Sequence, residues 1–225
     1  MTWMHLKAGW VTVLMLLATG ARADYMNITI DGDSSDWASV STIATDPADN
    51  PGSIDFLTLQ VANNENFIFI RYTLAESFNP QSGSGTFLAI DEDNNVATGF
   101  DIYGLGIVGS EAGWQNDFPF EQATGNYNTG GGLSGATYLA SPYGADTTSV
   151  EISIPRTATH TVGGAPIFPA DGETIRVAVW NQEASGDILG GAYTFSAVPE
   201  PASVMLMGVG GLMIAWRSRR HRPAA

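Results

Sequence analysis

The sequence predicts an all-β fold: a two-sheet antiparallel β-sandwich, jelly-roll-like, with a hydrophobic targeting segment at each end. Three observations predict it. Apolar and polar residues alternate in several separate segments, no stretch of about 12 residues has the pattern of an amphipathic helix, and a polar turn joins two of the alternating segments. Alternation of this kind is typical of sheets with one solvent face and one buried face. Two such sheets bury their apolar faces by packing against each other.

The predicted strands follow one another from residue 28 to residue 195. The clearest pair is 57–61 and 67–74, because the polar turn 62–66 between them predicts a hairpin. A later strand alternates until Pro155, which ends it. The full set of predicted strands is 28–30, 57–61, 67–74, 86–90, 150–154, 174–179 and 192–195.

Residues 1–23 are typical of a secretory signal peptide. A polar start with Lys7 precedes an apolar stretch at 8–19, and Ala21 and Ala23 supply the small residues that a signal peptidase requires. We therefore expect cleavage before Asp24. An uncleaved N-terminal anchor is the alternative.

Residues 198–225 form a second targeting segment with three ordered parts. A polar motif at 198–203, which contains Pro199, Glu200 and Pro201, precedes an apolar run at 204–216 and a basic end at 217–222. The apolar run has 13 residues, whereas a helix needs roughly 20 to cross a bilayer core. The basic end has four arginines, which favour the cytoplasmic side of a membrane.

The order of these three parts resembles the PEP-CTERM sorting signal of Gram-negative bacteria. The resemblance implies an exported protein that associates with the inner membrane during sorting and is processed by an exosortase-type enzyme. The protein would then reach the cell surface or the extracellular matrix. The residues alone leave an ordinary C-terminal transmembrane helix open as the alternative.

The β-sandwich domain is expected to span residues 24–197. Its acidity is partly concealed in the whole-chain charge of −14. The domain contains three basic residues, Arg71, Arg156 and Arg176, against 22 acidic ones, which gives a net charge of −19. Such a domain repels nucleic acid, which proteins bind largely through Lys and Arg. It attracts cations instead, although solubility of an exported protein explains the same acidity.

The residue content argues against catalysis. The chain has no cysteine, so thiol chemistry and zinc–thiolate sites are excluded. His160 is the only histidine between the targeting segments, and we expect it on the surface, because no nucleophile elbow lies near it. Acid pairs such as Asp91 and Asp93 leave glycosidase chemistry as an alternative. We predict that the protein is not an enzyme.

Four short motifs follow one another along the domain. They are I-T-I-D-G at 28–32 with Asp36 and Trp37, Asp55 ahead of the paired strands, a strand with an acidic loop at 87–100, and V-E-I-S-I-P at 150–155. Together they resemble family 9 carbohydrate-binding modules and the related DOMON-like β-sandwiches. The resemblance implies the sandwich fold, and sandwiches of this kind bind sugars, haem or no known ligand. Haem requires axial ligands, for which His160 is the only histidine.

The acidic loop is the first candidate site. Asp91, Asp93 and Asn95 alternate in a tight turn, so their oxygens could converge on one hard cation. Calcium takes six to eight oxygen ligands, and we therefore predict a Ca²⁺ site here. The cluster of Asp31, Asp33 and Asp36 is a second possibility, with capping of turns as the alternative role.

Aromatic residues near polar side chains form the second candidate site, because pyranose C–H groups pack on aromatic faces. Trp37 follows the opening motif and is expected in the core. Trp180 ends an apolar strand directly before Asn181 and Glu183, and Trp114 lies among hydrogen-bonding residues. We predict carbohydrate contacts at Trp114, Trp180, Asn181 and Glu183, with burial of each tryptophan in the core as the alternative.

These features favour an exported, non-catalytic surface or matrix protein that binds carbohydrate, for example the exopolysaccharide of a biofilm. The alternative is a structural or adhesive surface protein whose loops are stabilised by calcium and which binds no small ligand.

Overall fold

A computed structural model describes residues 25–82, 85–182 and 186–197. In chain order its strands are β1 (Thr42–Thr45), β2 (Phe56–Asn63), β3 (Phe67–Phe78), β4 (Thr86–Asp91), β5 (Phe100–Asp101), β6 (Gly109–Ser110), β7 (Ala112–Gln115), β8 (Phe118–Glu121), β9 (Leu133–Ser134), β10 (Leu139–Ser141), β11 (Thr147–Pro155), β12 (Thr159–His160), β13 (Thr174–Asn181) and β14 (Ile188–Thr194). Two short 3₁₀ helices, Ser34–Ser39 and Ile102–Gly104, are the helices of the described residues. None of the helices in this part of the chain has the length and apolarity to span a membrane.

Two five-stranded antiparallel sheets form the sandwich, as predicted. The first has the order β1-β2-β3-β11-β10 and the second the order β14-β13-β4-β7-β8. Two further pairs, β9 with β12 and β5 with β6, form small two-stranded sheets. The alternating pattern therefore gives the correct fold class.

The β2–β3 hairpin shows how the sequence sets the register. Asn64 lies in the predicted polar turn, and its side-chain oxygen accepts hydrogen bonds from the backbone N–H groups of Asn66 and Phe67, both at 2.8 Å. An asparagine that bonds its own backbone in this way stabilises the turn. The register that follows places Val61 opposite Ile70.

The main core lies between the two sheets. Ile68, Ile70 and Tyr72 of β3 share one buried cluster with Leu88 and Ile90 of β4. Alternate residues of β11 and β13 complete it, namely Val150, Ile152, Ile154, Ile175, Val177 and Val179. This is the burial that two amphipathic sheets are expected to produce.

The outer face of the second sheet is also buried, which the sequence analysis did not predict. All six residues of β4 are buried. Phe87 and Ala89 point away from the main core and pack with Ala178 and Trp180 in a second cluster. Phe120 of the edge strand β8 belongs to this cluster, and Ile102 and Val108 cover it from outside. The expectation of one solvent-exposed face is therefore wrong for β4, because the chain between β5 and β6 folds back over the sheet.

Trp37 is buried in a third cluster with Ile28, Val40, Ala62 and Phe69, on the outer face of the first sheet. Its predicted place in the core is confirmed. The domain limits of 24–197 and the signal peptide, with its residues Ala21 and Ala23, stay predictions, since residues 1–24 lie outside the described part of the chain.

Candidate functional site

An aromatic cleft opens on the outer face of the second sheet. Its floor is Trp180, whose ring stacks on that of Phe87 with 4.3 Å between centroids and 23° between planes. Tyr103 and Tyr127 stand nearly perpendicular to the indole, with centroids at 5.7 and 5.8 Å. The cleft has a volume of about 470 Å³, within the range of about 300–1,000 Å³ found for small-molecule sites. Its lining residues are Phe100, Ile102, Tyr103, Tyr127, Trp180 and Gln182.

Three separate parts of the chain position these residues: the end of β13, the turn between β5 and β6, and the segment between β8 and β9 that carries Tyr127. Trp180 is the penultimate residue of β13, while Tyr103 lies in the turn between β5 and β6 with a left-handed φ of 59°. The Tyr103 hydroxyl donates a hydrogen bond to the backbone carbonyl of Asn181, which fixes the turn to the end of the strand. A left-handed conformation is uncommon in a tyrosine and costs free energy that other contacts must offset.

The two tyrosines differ in exposure. Tyr103 is 44% exposed. Partial burial and, to a smaller extent, the negative charge of Asp187 raise the pKa of its hydroxyl. Tyr127 is half-buried, and burial raises its pKa to about 12. Both hydroxyls therefore keep their protons at neutral pH. They are available as hydrogen-bond donors, although that of Tyr103 is already bonded to Asn181.

Trp180 is not the open platform that the sequence analysis predicted. The side chain is only 3% exposed, because Phe87 covers one face and the two tyrosines flank it. A ligand in the cleft would therefore lie mainly against Tyr103 and Tyr127, with the indole beneath. Neither tyrosine was among the predicted contact residues.

Trp114 is a core residue, so its predicted contact with carbohydrate is wrong. It is 0% exposed and belongs to the cluster between the sheets. Its indole N–H donates to the backbone carbonyl of Ala136 at 3.2 Å. Trp114 lies on β7 and faces the other sheet, where no external ligand can reach it.

Asn181 is also misassigned, because successive residues of a strand point to opposite faces. It follows Trp180 directly, and its side chain is 0% exposed. The amide donates to the backbone carbonyl of Ile54 at 3.0 Å, on the interior side of the strand. The two side chains cannot contact one ligand. Glu183, the fourth predicted residue, lies outside the described part of the chain.

The acidic loop after β4 brings two of the three predicted metal ligands together. Asp91 and Asp93 each offer a carboxylate oxygen, and Glu111 offers a third, all within 4.8 Å of one another. The side-chain oxygen of Asn95, the third predicted ligand, accepts a hydrogen bond from the N–H of Ala97 at 3.2 Å, and its role as a metal ligand stays a prediction. Glu111 lies between β6 and β7 and could be found only once the pairing of β4 with β7 is known.

Backbone N–H groups already donate hydrogen bonds to the carboxylates of this cluster. Asp91 accepts hydrogen bonds from the N–H groups of Asn95 at 2.9 Å and Gly109 at 3.2 Å. Glu111 accepts from the N–H of Glu92 at 3.0 Å. Burial, with the nearby carboxylates of Asp91, Asp93 and Glu92, raises the pKa of Glu111 to about 7. Whether Ca²⁺ binds here stays a prediction.

His160 lies beside this cluster and is not the surface histidine expected from the sequence. Its Nε2 is 2.7 Å from Glu92 and its Nδ1 is 2.9 Å from Glu121, and the side chain is 16% exposed. Burial raises the pKa of Glu92 to about 7, although His160 opposes that effect. Burial lowers the pKa of His160, but the two glutamates outweigh it and leave the pKa above its ordinary value.

The other aspartate cluster caps turns, which was the alternative role. Asp31 accepts from the N–H of Asp33 at 2.8 Å, and Asp33 accepts from that of Ser35 at 3.0 Å at the start of the first 3₁₀ helix. Asp36 accepts from the N–H of Thr29 at 2.9 Å.

Comparison with known families identifies the tail. The model of the PEP-CTERM protein-sorting motif matches residues 197–220. The chain carries a PEP-CTERM sorting signal. This signal indicates an exported protein that is sorted and processed by an exosortase-type enzyme. Its central residues Pro199, Glu200 and Pro201 lie outside the described part of the chain.

Solved structures similar to the chain include two of a family 9 carbohydrate-binding module from Caldicellulosiruptor kristjanssonii. The complex with cellotriose has a TM-score of 0.41 at 11% identity, and the alignment covers 79% of this chain and 94% of the module. The complex with glucose has the same score and identity and covers 76% and 83%. At this level the likeness carries no ligand over to this chain. No curated protein matches the chain.

Proposed function

We propose that this PEP-CTERM protein is a non-catalytic surface or matrix protein that binds carbohydrate in the aromatic cleft. The observation that supports the proposal is the cleft itself, where Tyr103 and Tyr127 stand over Trp180. Aromatic rings present flat apolar surfaces at a small cost in conformational entropy, and C–H groups of a pyranose ring pack on such surfaces.

The polar groups around the cleft suit a sugar as well. The exposed amide of Gln182 both donates and accepts, and the protonated hydroxyl of Tyr127 donates. A few polar groups around an apolar pocket are typical of small-molecule sites. Among the described residues, the six that line the cleft include no carboxylate or imidazole, which favours binding over acid–base catalysis.

The negative charge of the domain disfavours negatively charged glycans as ligands. With 22 acidic residues against three arginines, the domain repels polyanionic polysaccharides through its overall field. The best candidates are therefore neutral glycans, such as a neutral exopolysaccharide at the cell surface.

Titration calorimetry with neutral oligosaccharides tests this proposal. The full-length protein is kept in a zwitterionic detergent that has no sugar headgroup, so that the detergent does not compete for the cleft. We expect Tyr103→Ala to weaken binding at least tenfold, about 1.4 kcal/mol, and Tyr127→Phe to weaken it less. Tyr143→Ala is the matched control, because Tyr143 is also exposed but lies outside the cleft. An absence of glycan binding by the wild-type protein would reject the proposal.

The structural or adhesive alternative rests on the convergence of Asp91, Asp93 and Glu111. A cation there would join the loop after β4 to the start of β7. Thermal melts of the wild-type protein and of Asp93→Asn, each with calcium and with chelator, test this alternative. It is rejected if calcium does not change the melting temperature of the wild-type protein.

A further inference from the structure

A second group of carboxylates lies in the loop between β1 and β2, at the end of the sandwich. Asp46, Asp49 and Asp55 each offer an oxygen, and the three oxygens lie within 4.8 Å of one another. Asp46 is half-buried, Asp49 is exposed and Asp55 is buried. This group is separate from the cluster at Asp91.

Asp55 supplies an independent observation that points to a ligand. Its side chain is only 3% exposed. One carboxylate oxygen accepts from the backbone N–H of Asn50 at 2.9 Å, but the other oxygen is buried and has no hydrogen-bond partner. A buried carboxylate oxygen without a partner is unfavourable because it has lost its hydration, and a bound cation removes that penalty.

The described residues provide no side-chain cation for this group. Arg71 bonds Gln60 and Ser149, Arg156 pairs with Asp171, and Arg176 bonds the backbone carbonyl of Ile107. These are the only arginines in the sequence between residues 24 and 197, and the sequence contains no lysine after Lys7. No basic side chain in the described part of the chain therefore compensates this negative charge.

We propose that Asp46, Asp49 and Asp55 bind one calcium ion. Two oxygens on opposite sides of Ca²⁺, each at about 2.4 Å, are separated by about 4.8 Å, so the observed spacing fits a single ion. The ligands are all hard oxygens and include no imidazole or thiolate, which favours calcium over zinc. Water and backbone carbonyls complete the coordination.

The ion would strengthen the contact between the two sheets. Asp55 lies between Ile54, whose carbonyl accepts from the Asn181 amide at 3.0 Å, and Phe56, whose N–H donates to Asp187 at 2.6 Å. Asn181 is the last residue of β13, and Asp187 directly precedes β14. A calcium ion on Asp55 therefore stabilises the segment that carries Trp180, whether or not a glycan binds.

Calcium titration of the full-length protein tests the proposal, with the protein first stripped by chelator. Asp49→Asn is the main variant, because Asp49 is exposed and its replacement does not disturb the core. We expect one binding step to be lost or weakened at least tenfold, and the calcium-dependent rise in melting temperature to shrink. In chelator, Asp49→Asn should melt at or above the wild-type temperature, because the substitution removes like-charge repulsion.

The matched control is Asp93→Asn in the other acidic cluster, which should leave this binding step unchanged. A variant Asp55→Asn should lose the step as well. The proposal is overturned if Asp49→Asn binds calcium as the wild-type protein does, if only Asp93→Asn removes binding, or if the wild-type protein binds no calcium. A melting temperature of Asp49→Asn that falls equally with and without calcium would also overturn it, since that result indicates a purely structural role.

Discussion

The Nε2 atom of His160 lies 2.7 Å from Oε1 of Glu92, although 68 residues separate the two in sequence. The other ring nitrogen is 2.9 Å from Glu121. The imidazole thus joins the end of β8 and the loop after β4 to the small β9–β12 sheet. A half-buried ring between two carboxylates stabilises this corner of the fold as long as it carries its proton.

We expect His160→Ala to destabilise the protein by about 1–3 kcal/mol, because two partly buried carboxylates lose their partner. The corresponding fall in melting temperature is roughly 2–4 °C per kcal/mol for a domain of this size. The carboxylates leave the folded pKa of His160 raised, so its contribution is complete below about pH 6.5 and is lost as the pH rises through the folded pKa. Melts at pH 6 and pH 8.5 should therefore show a larger effect at pH 6, where the charged bridge is mainly the one to Glu121, since Glu92 has a pKa of about 7 and is largely protonated at this pH.

The exposed residue Thr161 provides the control for this experiment. Thr161→Ala keeps the neighbouring backbone and should melt like the wild-type protein at both pH values. An equal loss of stability at pH 6 and pH 8.5 for His160→Ala would contradict the charged bridge.

Glu111 predicts a second pH dependence of the same sign. Its folded pKa of about 7 lies above the ordinary value of 4.5. The folded state therefore binds a proton more tightly, and stability falls as the pH rises from about 4.5 through about 7. The shift corresponds to at most roughly 3.5 kcal/mol, since one pKa unit is about 1.4 kcal/mol.

We therefore expect Glu111→Gln to raise the melting temperature at pH 8 and to leave it nearly unchanged at pH 4.5. Glutamine retains an oxygen for the N–H of Glu92 and carries no charge. The melts are recorded in chelator, so that a cation at Asp91 and Asp93 does not mask the effect. Identical pH profiles for variant and wild-type protein would reject this prediction.

The alternating pattern was sufficient for the fold class because it reports directly which strand face is buried. It could not identify which face of the second sheet carries the aromatic cleft. Trp114 and Trp180 both lie in apolar strands, yet one faces the main core and the other faces the cleft. Both strands belong to the second sheet, and the difference comes from their register against β4, which pairs Trp180 with Phe87 and Trp114 with Leu88. A strand's own sequence does not contain that register.

The clusters of charge were harder to predict because they assemble across the chain. Asp91 and Asp93 are neighbours in sequence, so their approach was predictable. Glu111 joins them only through the pairing of β4 with β7, and His160 reaches Glu92 only through the β9–β12 pair. Tyr103 was overlooked because its place in the cleft depends on a turn with a left-handed tyrosine.

Trp114→Ala should lower stability by about 3–5 kcal/mol, because it empties a large volume between the sheets. The carbonyl of Ala136 would also lose its donor. Chemical denaturation measures this cost, and glycan affinity of the protein that remains folded should be unchanged. A selective loss of glycan binding without a loss of stability would restore Trp114 as a ligand contact.

Gly109→Ala should destabilise the loops that flank the acidic cluster. A Cβ atom at Gly109 would overlap with the carbonyl oxygen of Thr98 and lie 2.9 Å from that of Asn95. Both contacts are backbone atoms that cannot move aside, so we expect a loss of about 1–3 kcal/mol. Gly132→Ala is the control, because its nearest neighbour is the side-chain oxygen of Thr161 at 3.4 Å. Equal melting temperatures for the two variants would contradict the proposed packing.

The sorting signal predicts a shortened mature protein. The apolar run at 204–216 is shorter than a membrane-spanning helix requires, which suits temporary retention better than permanent anchoring. We expect intact-mass measurement of the exported protein to show that the arginines at 217–222 have been removed. Replacement of Pro199, Glu200 and Pro201 by alanine should leave the tail uncut, whereas Val204→Leu within the apolar run should not. A mature wild-type protein that still carries residues 217–222 would favour the permanent transmembrane anchor instead.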